Sequence, residues 1–352
     1  MQFNRKEIDM TEEQKRIETK RIFIFLIVTF LITWAVEGFL APLAMNSGDA
    51  EIMSQASSMI SSMMFAPAFG AVVARLLTKE GLSHSGFQFN FSKHKFCFLF
   101  GWFGVSALIL LGAVLYFIVN PSNFDGNVTN YVQLSIAAGS EMDAAQIMGA
   151  YKANLLTLVF TAPVMDIINA FGVEWGFRAY LLPKLYKKFG TLPSFFMTSL
   201  AYGIWYAPLI SLGYFYGKDY AGFPGTGIAA MCVFCLAFGC ILSYLSLKTG
   251  SIFPAVFAHG TMNVLMSDPV NFTFDGGSVF VGPAPTGFLS MIPMIVVAVI
   301  MTVNMVKNPP VPSKEEPVEE KKAAPVPSAV DEDVIEEIIE AELQDEVKAK
   351  EE

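Results

Sequence analysis

Two ionisable side chains of opposite sign stand four residues apart in an otherwise apolar stretch: Glu174 and Arg178 in Phe171-Gly172-Val173-Glu174-Trp175-Gly176-Phe177-Arg178. On a helix that spacing puts them on one face, where they can pair. His259 and Asn263 repeat the spacing further along, and Tyr202 and Tyr206 repeat it in between. Asp166 and Asn169 precede Glu174, and Glu37 lies in an earlier apolar run. A carboxylate, an imidazole and several hydrogen-bond donors are what a hydrolytic site needs, a base for water and donors for an oxyanion. Each pair also has a structural reading. Glu174 and Arg178 suit an ion pair that holds helices together, and His259 and Asn263 suit interhelical hydrogen bonds. Asp166 and Glu37 are expected to pack against polar partners, and Tyr202, Trp205 and Tyr206 to serve as aromatic packing.

The elements that must position these groups are membrane helices. Of 352 residues, 53% are hydrophobic and only 16% charged, with 32 Phe, a membrane-protein composition. The net charge of −9 belongs to one end, because residues 307–352 hold six Lys/Arg against fifteen Asp/Glu and the rest carries 17 of each sign. No basic field for nucleic acid remains. Apolar runs near the ~20 residues that cross a bilayer fall at 22–45, 55–78, 96–119, 153–177, 192–212, 226–247, 251–266 and 287–306. The seventh is short, so its helix is expected to begin or end in protein. On this layout Asp166 and Glu174 share the fourth helix, ~12 Å apart along its axis. The first run is too long for a signal-peptide core and is read as a retained anchor.

Loop charges alternate through the whole layout. Lys15, Arg16, Lys20 and Arg21 precede the first span, and Lys79, Lys93 and Lys95 follow the second. Lys184, Lys187 and Lys188 follow the fourth, Lys248 the sixth and Lys307 the eighth. The loops between carry little positive charge, so both termini are expected on the cytoplasmic side. The expected fold is therefore all-α: about eight transmembrane helices over 22–306, a cytoplasmic segment 1–21 and a tail 307–352. That tail is first Pro-rich, then acidic with Ile335, Ile339, Leu343 and Val347 every four residues. It reads as a flexible solubilising tail, or as a short amphipathic helix for a protein partner. Cys97, Cys232, Cys235 and Cys240 lie in apolar segments and give no disulfide framework.

Three motifs in order, on successive helices, resemble the CPBP family of intramembrane endopeptidases, which includes CAAX prenyl proteases and bacteriocin-processing or immunity proteins. The family pattern Glu-Glu-x-x-x-Arg reads here Val173-Glu174-Trp175-Gly176-Phe177-Arg178. Its Phe-x-x-x-His reads Tyr202-Gly203-Ile204-Trp205-Tyr206, and its His-x-x-x-Asn reads His259-Gly260-Thr261-Met262-Asn263. The matching text covers about 153–266. The resemblance implies an eight-helix bundle whose polar cavity lies among the fourth, fifth and seventh spans. It further implies cleavage of a membrane-associated peptide or protein, with Glu174, Arg178, His259 and Asn263 as catalytic residues. It would also bring zinc, with Glu174 and His259 as ligands here, although a catalytic zinc wants about three. Val173 stands where the family has its water-activating Glu, and Tyr206 where it has a His. The expectation is reduced or absent proteolysis. The alternative is a pseudoprotease that binds peptide or lipidated segments in the membrane. A small-solute transporter would call for broken helices or repeats, which the sequence does not carry.

Overall fold

A computed structural model describes residues 10–81 and 86–309. The proposed amphipathic helix of the tail and His84 lie outside the described residues. Among those described there are no strands, only isolated bridges at Phe124–Thr273 and Ser278–Gly282.

Six helical stretches are long and apolar enough to cross a membrane. They are α1 (Glu12–Met45), α2 (Glu51–Leu77), α3 (Lys95–Val119), α5 (Ala144–Met165), the pair α8 and α9, and α10 (Gly225–Thr249). Between α3 and α5 lies the short α4 (Thr129–Ala137). After α5 come α6 (Ile167–Glu174) and α7 (Leu182–Phe189), with Trp175–Leu181 between them as a π-helical turn. The helices α8 (Thr191–Trp205) and α9 (Ala207–Leu212) meet at Tyr206. Then follow α11 (Phe253–Leu265) and α12 (Ile292–Lys307), the two shorter helices of the eight expected runs.

Helix starts are legible in their caps. Thr11 and Gln14 form a reciprocal capping box at α1, ahead of Glu12 and Glu13 at the positive end of the dipole. Asp143 and Gln146 do the same for α5. Helix α10 stops at Gly250, in the left-handed conformation that glycine adopts cheaply. Lipid-facing surfaces follow from exposure: Leu31, Leu76, Leu110, Leu156, Ile168 and Ile300 all point outward as bare apolar groups. In a soluble protein such a surface would aggregate, but hydrocarbon solvates it. Within the bundle α1 packs on α2, α8 on α10, α10 on α12, and α11 on α5 and α6. Helix α11 is short because protein surrounds it; Ala255, Val256, Ala258 and Thr261 are fully buried.

The expected fourth span is not one helix. Pro163 lies inside α5 and has no N–H for the ladder, and the chain breaks at Asp166 (φ −116°, ψ 21°). Asp166 and Glu174 therefore do not share a straight helix face. Proline shapes a second departure. Pro183 cannot donate to the carbonyl four residues back, and the preceding Leu182 N–H reaches five residues back to the Phe177 carbonyl. The turn 175–181 is widened accordingly. The same device recurs in α1, where Val36–Leu40 is π-helical, Ala41 N–H bonds to the Val36 carbonyl and Pro42 follows.

At the end of the bundle that carries the basic loops, an ionic clasp joins three helices. Lys184 Nζ of α7 lies 2.5 Å from Glu80 Oε1, and Arg21 Nε of α1 lies 3.4 Å from Glu80 Oε2. Arg21 also holds Glu18 at 2.8 Å, and Arg75 donates to the Gly81 carbonyl at 2.8 Å.

Candidate active site

Glu174 ends α6, and the widened turn carries Arg178 behind it. Both are fully buried. Arg178 Nε lies 3.3 Å from Glu174 Oε2, and Nη1 donates to Oε1 at 3.4 Å. The guanidinium also covers the Tyr202 ring, 4.7 Å from its centroid. It fits because Gly239 of α10 has no side chain: a Cβ there would sit 3.1 Å from Arg178 Nη2 and 2.5 Å from Ser199 Oγ. The ion pair that the sequence suggests is thus present, and it also faces a third group.

That third group is His259. Its Nδ1 lies 2.7 Å from Glu174 Oε1 across the α6–α11 contact. A carboxylate only accepts, so Nδ1 carries the proton. Nε2 lies 3.1 Å from the Tyr202 hydroxyl, and that hydroxyl lies 3.0 Å from the Tyr206 hydroxyl. The result is one chain from Arg178 through Glu174, His259 and Tyr202 to Tyr206. Only its last member is half-buried; the others are sealed. With neutral imidazole, Tyr202 donates to Nε2 and Tyr206 donates to Tyr202. With imidazolium, Nε2 donates to Tyr202, Tyr202 to Tyr206, and the Tyr206 proton turns outward. Each protonation state satisfies every link, so a proton gained at one end reverses the polarity of the whole chain.

Asn263, one turn beyond His259, is not bonded to it. Asn263 Nδ2 donates to Asp166 Oδ2 at 2.7 Å, and Asn169 Nδ2 donates to Asp166 Oδ1 at 2.6 Å. Two carboxylates, one at each end of α6, therefore take His259 and Asn263 of α11. Asp166 has the polar partners expected of it, and it enters the site through Asn263. Val173 is fully buried in the main apolar core.

Two residues carry more than their sequence suggested. Tyr202 reads as packing, yet its hydroxyl links His259 to Tyr206. Glu37 was expected to find polar partners, but its Oε2 is buried without a hydrogen-bond partner among the described residues. The signal for Tyr202 is its spacing of four from Tyr206, and that for Glu37 is a charge inside an apolar run.

Zinc does not fit these donors. Among the described residues no three His, Cys, Asp or Glu side chains come together as a ligand set. One histidine with both nitrogens engaged, and one carboxylate held by an arginine, fall short of the about three ligands a catalytic zinc takes. A polar cleft of about 450 Å³, lined by Tyr116, Asn120, Asn123 and Asp275 among others, shares no residue with the chain of hydrogen bonds.

The segment that builds this site runs from α5 to the end of α11. Residues 155–265 match the family model of the Rce1-like type II CAAX prenyl endopeptidases. The match covers less than half of the chain, and it contains all three motifs, from Glu174 to Asn263. The protein is thus an integral membrane protein of helical build with an Rce1-like segment at its centre. No curated protein matches the chain.

Proposed function

We propose that the protein is a membrane endopeptidase of the CAAX prenyl type, acting on a membrane-anchored peptide presented to the end of the chain at Tyr206. The observation that carries this reading is the sequence of contacts Glu174–His259–Tyr202–Tyr206, which ends at the half-buried residue Tyr206. When His259 is an imidazolium, Tyr206 donates outward, where a carbonyl oxygen gaining negative charge would be held. Glu174 stabilises the imidazolium, and Arg178 fixes Glu174. Asp166 and Asn263 hold α11 in register and are positioning residues. The core spans 153–266 of a transmembrane unit 22–306, and both termini face the cytoplasm, since the basic loops fall on one side throughout.

A second reading has an observation of its own. Val173 places an apolar, buried side chain where the family has its water-activating Glu, and His259 has no nitrogen left to meet a water directly. On that reading the segment binds prenylated or other membrane peptides without cutting them. One experiment separates the two. The purified full-length protein in liposomes is given a peptide ending in a prenylated Cys and three further residues. Endopeptidase action releases the terminal tripeptide. Saturable binding without release, with Val173→Glu then conferring release, establishes the binding protein instead.

A further inference from the structure

We infer that Glu37 is the second carboxylate of this site, the base that accepts a proton from the attacking water beside Tyr206. The inference rests on the endopeptidase reading and supplies the group that Val173 does not. It starts from a stripe on α1. Phe25, Thr29, Thr33, Glu37 and Ala41 recur every four residues, and all are buried to within 2% of full burial. That face turns inward, so Glu37 points into the bundle although its helix is the first of the chain. Two contacts fix where it points. Trp205 Nε1 donates to Thr33 Oγ1 at 2.8 Å, which sets α1 against the end of α8 one turn before Glu37. One turn after it, Ala41 shares an apolar cluster with Leu209 and Tyr206. Glu37 lies between these two anchors, on the face of α1 that packs toward Trp205 and Tyr206.

A carboxylate at membrane depth costs several kcal/mol when it has no partner, and Oε2 of Glu37 has none among the described residues. Glu174 and Glu80 also leave Oε2 without a hydrogen bond, but each holds cations or donors through its other contacts, and Asp166 accepts from two amides. Among the described residues Glu37 has neither an ion pair nor a hydrogen bond at Oε2. The backbone at Glu37 is also the π-helical turn Val36–Leu40, the same device that presents Arg178. Such turns are frequent at functional sites.

The chemistry then closes with the residues present. A water held between Glu37 Oε2 and Tyr206 attacks the scissile carbonyl carbon. Its O–H bond breaks, the proton passes to Oε2, and a new C–O bond forms. The oxyanion takes the Tyr206 proton as hydrogen bond, backed by Tyr202 and the His259 imidazolium. The C–N bond breaks as the proton on Glu37 moves to the leaving nitrogen. The products are an acid and an amine, and Glu37 is again ionised.

The test uses the full-length protein in liposomes with the prenyl-Cys tripeptide substrate. The variants are Glu37→Gln and Glu37→Asp, and kcat, KM and thermal stability are read together. Glu37→Gln should lower kcat by about 10²–10⁴ with KM within about twofold, while the melting temperature holds or rises. Glu37→Asp, which keeps the acid on a shorter arm, should retain part of the rate. Wild-type kcat in Glu37→Gln would overturn the inference and leave the endopeptidase reading standing. A parallel fall in activity and stability in both variants would make Glu37 structural and also overturn it. Absence of cleavage by the wild-type protein removes both.

Discussion

At the scale of single residues, the site is a matter of who donates to whom. Glu174 accepts from two partners, Arg178 four residues further along the chain and His259 across the interface. Removing the carboxylate altogether would leave Arg178 buried and unpaired, at about 3–5 kcal/mol, so activity and folding would fail together. Glu174→Gln keeps the shape and the acceptor oxygen but also removes the charge that faces Arg178. It should cost about tenfold to a hundredfold in peptide cleavage with a clear loss of melting temperature, and His259→Ala should cost more cleavage. Asn263→Ala leaves Asp166 with Asn169 alone and is expected to cost about 1–3 kcal/mol in stability, measurable by thermal unfolding in detergent. The pairing of Glu174 with Arg178 was legible in the spacing of four, and the meeting of the fourth and seventh spans in the family resemblance. That His259 would meet Glu174 and Asn263 would meet Asp166 was not. It depends on the break at Asp166, which reorients the start of α6.

Elements were legible as far as apolar length dictates them. The apolar runs are helical, and six of the resulting stretches are long and apolar enough to cross a membrane, where the backbone has no other way to satisfy its polar groups. What the runs did not reveal is where those helices widen or break. Pro163, Pro183 and Pro42 each remove one N–H from a ladder, and the outcome differs with the packing around them: a break at Asp166 and π-turns before Pro183 and Pro42. Arg178 sits in the first of these π-turns and Glu37 in the second. Pro183→Ala restores the missing donor, so the turn 175–181 is expected to tighten toward regular α-helix and carry Arg178 off the Glu174–Tyr202 side. The expected outcome is a melting temperature equal to or above wild type with peptide cleavage reduced at least tenfold. A variant as active as wild type would show that the widened turn is incidental.

For the whole molecule, α1 is the element that ties the site to the rest. Its basic end enters the clasp of Glu18, Arg21, Glu80 and Lys184, and its inner face reaches Trp205 and Tyr206. Burial raises the Glu80 carboxyl, but Lys184, Arg21 and Arg75 outweigh it and hold Glu80 below the usual carboxylate range. A depressed carboxylate stabilises the fold above its unfolded value of ~4.3, and that contribution is lost as pH falls through the lower folded value. Glu80→Gln should therefore destabilise the protein by about 2 kcal/mol at neutral pH, and by progressively less below about pH 4, in melting curves run against wild type. The clasp was not legible in the sequence, because Glu80 and Lys184 are far apart in the chain and read only as loop charges. The charge alternation that placed them on one side was legible. All of this scaffolding serves one claim, that the hydrogen-bonded chain from Glu174 to Tyr206 cuts a membrane-anchored peptide. The most direct measurement is release of the terminal tripeptide from a prenyl-Cys peptide by the full-length protein in liposomes, beside His259→Ala. Release by wild type and a loss of at least a hundredfold in His259→Ala is the expected result. Equal release by both, or none by either, would contradict it.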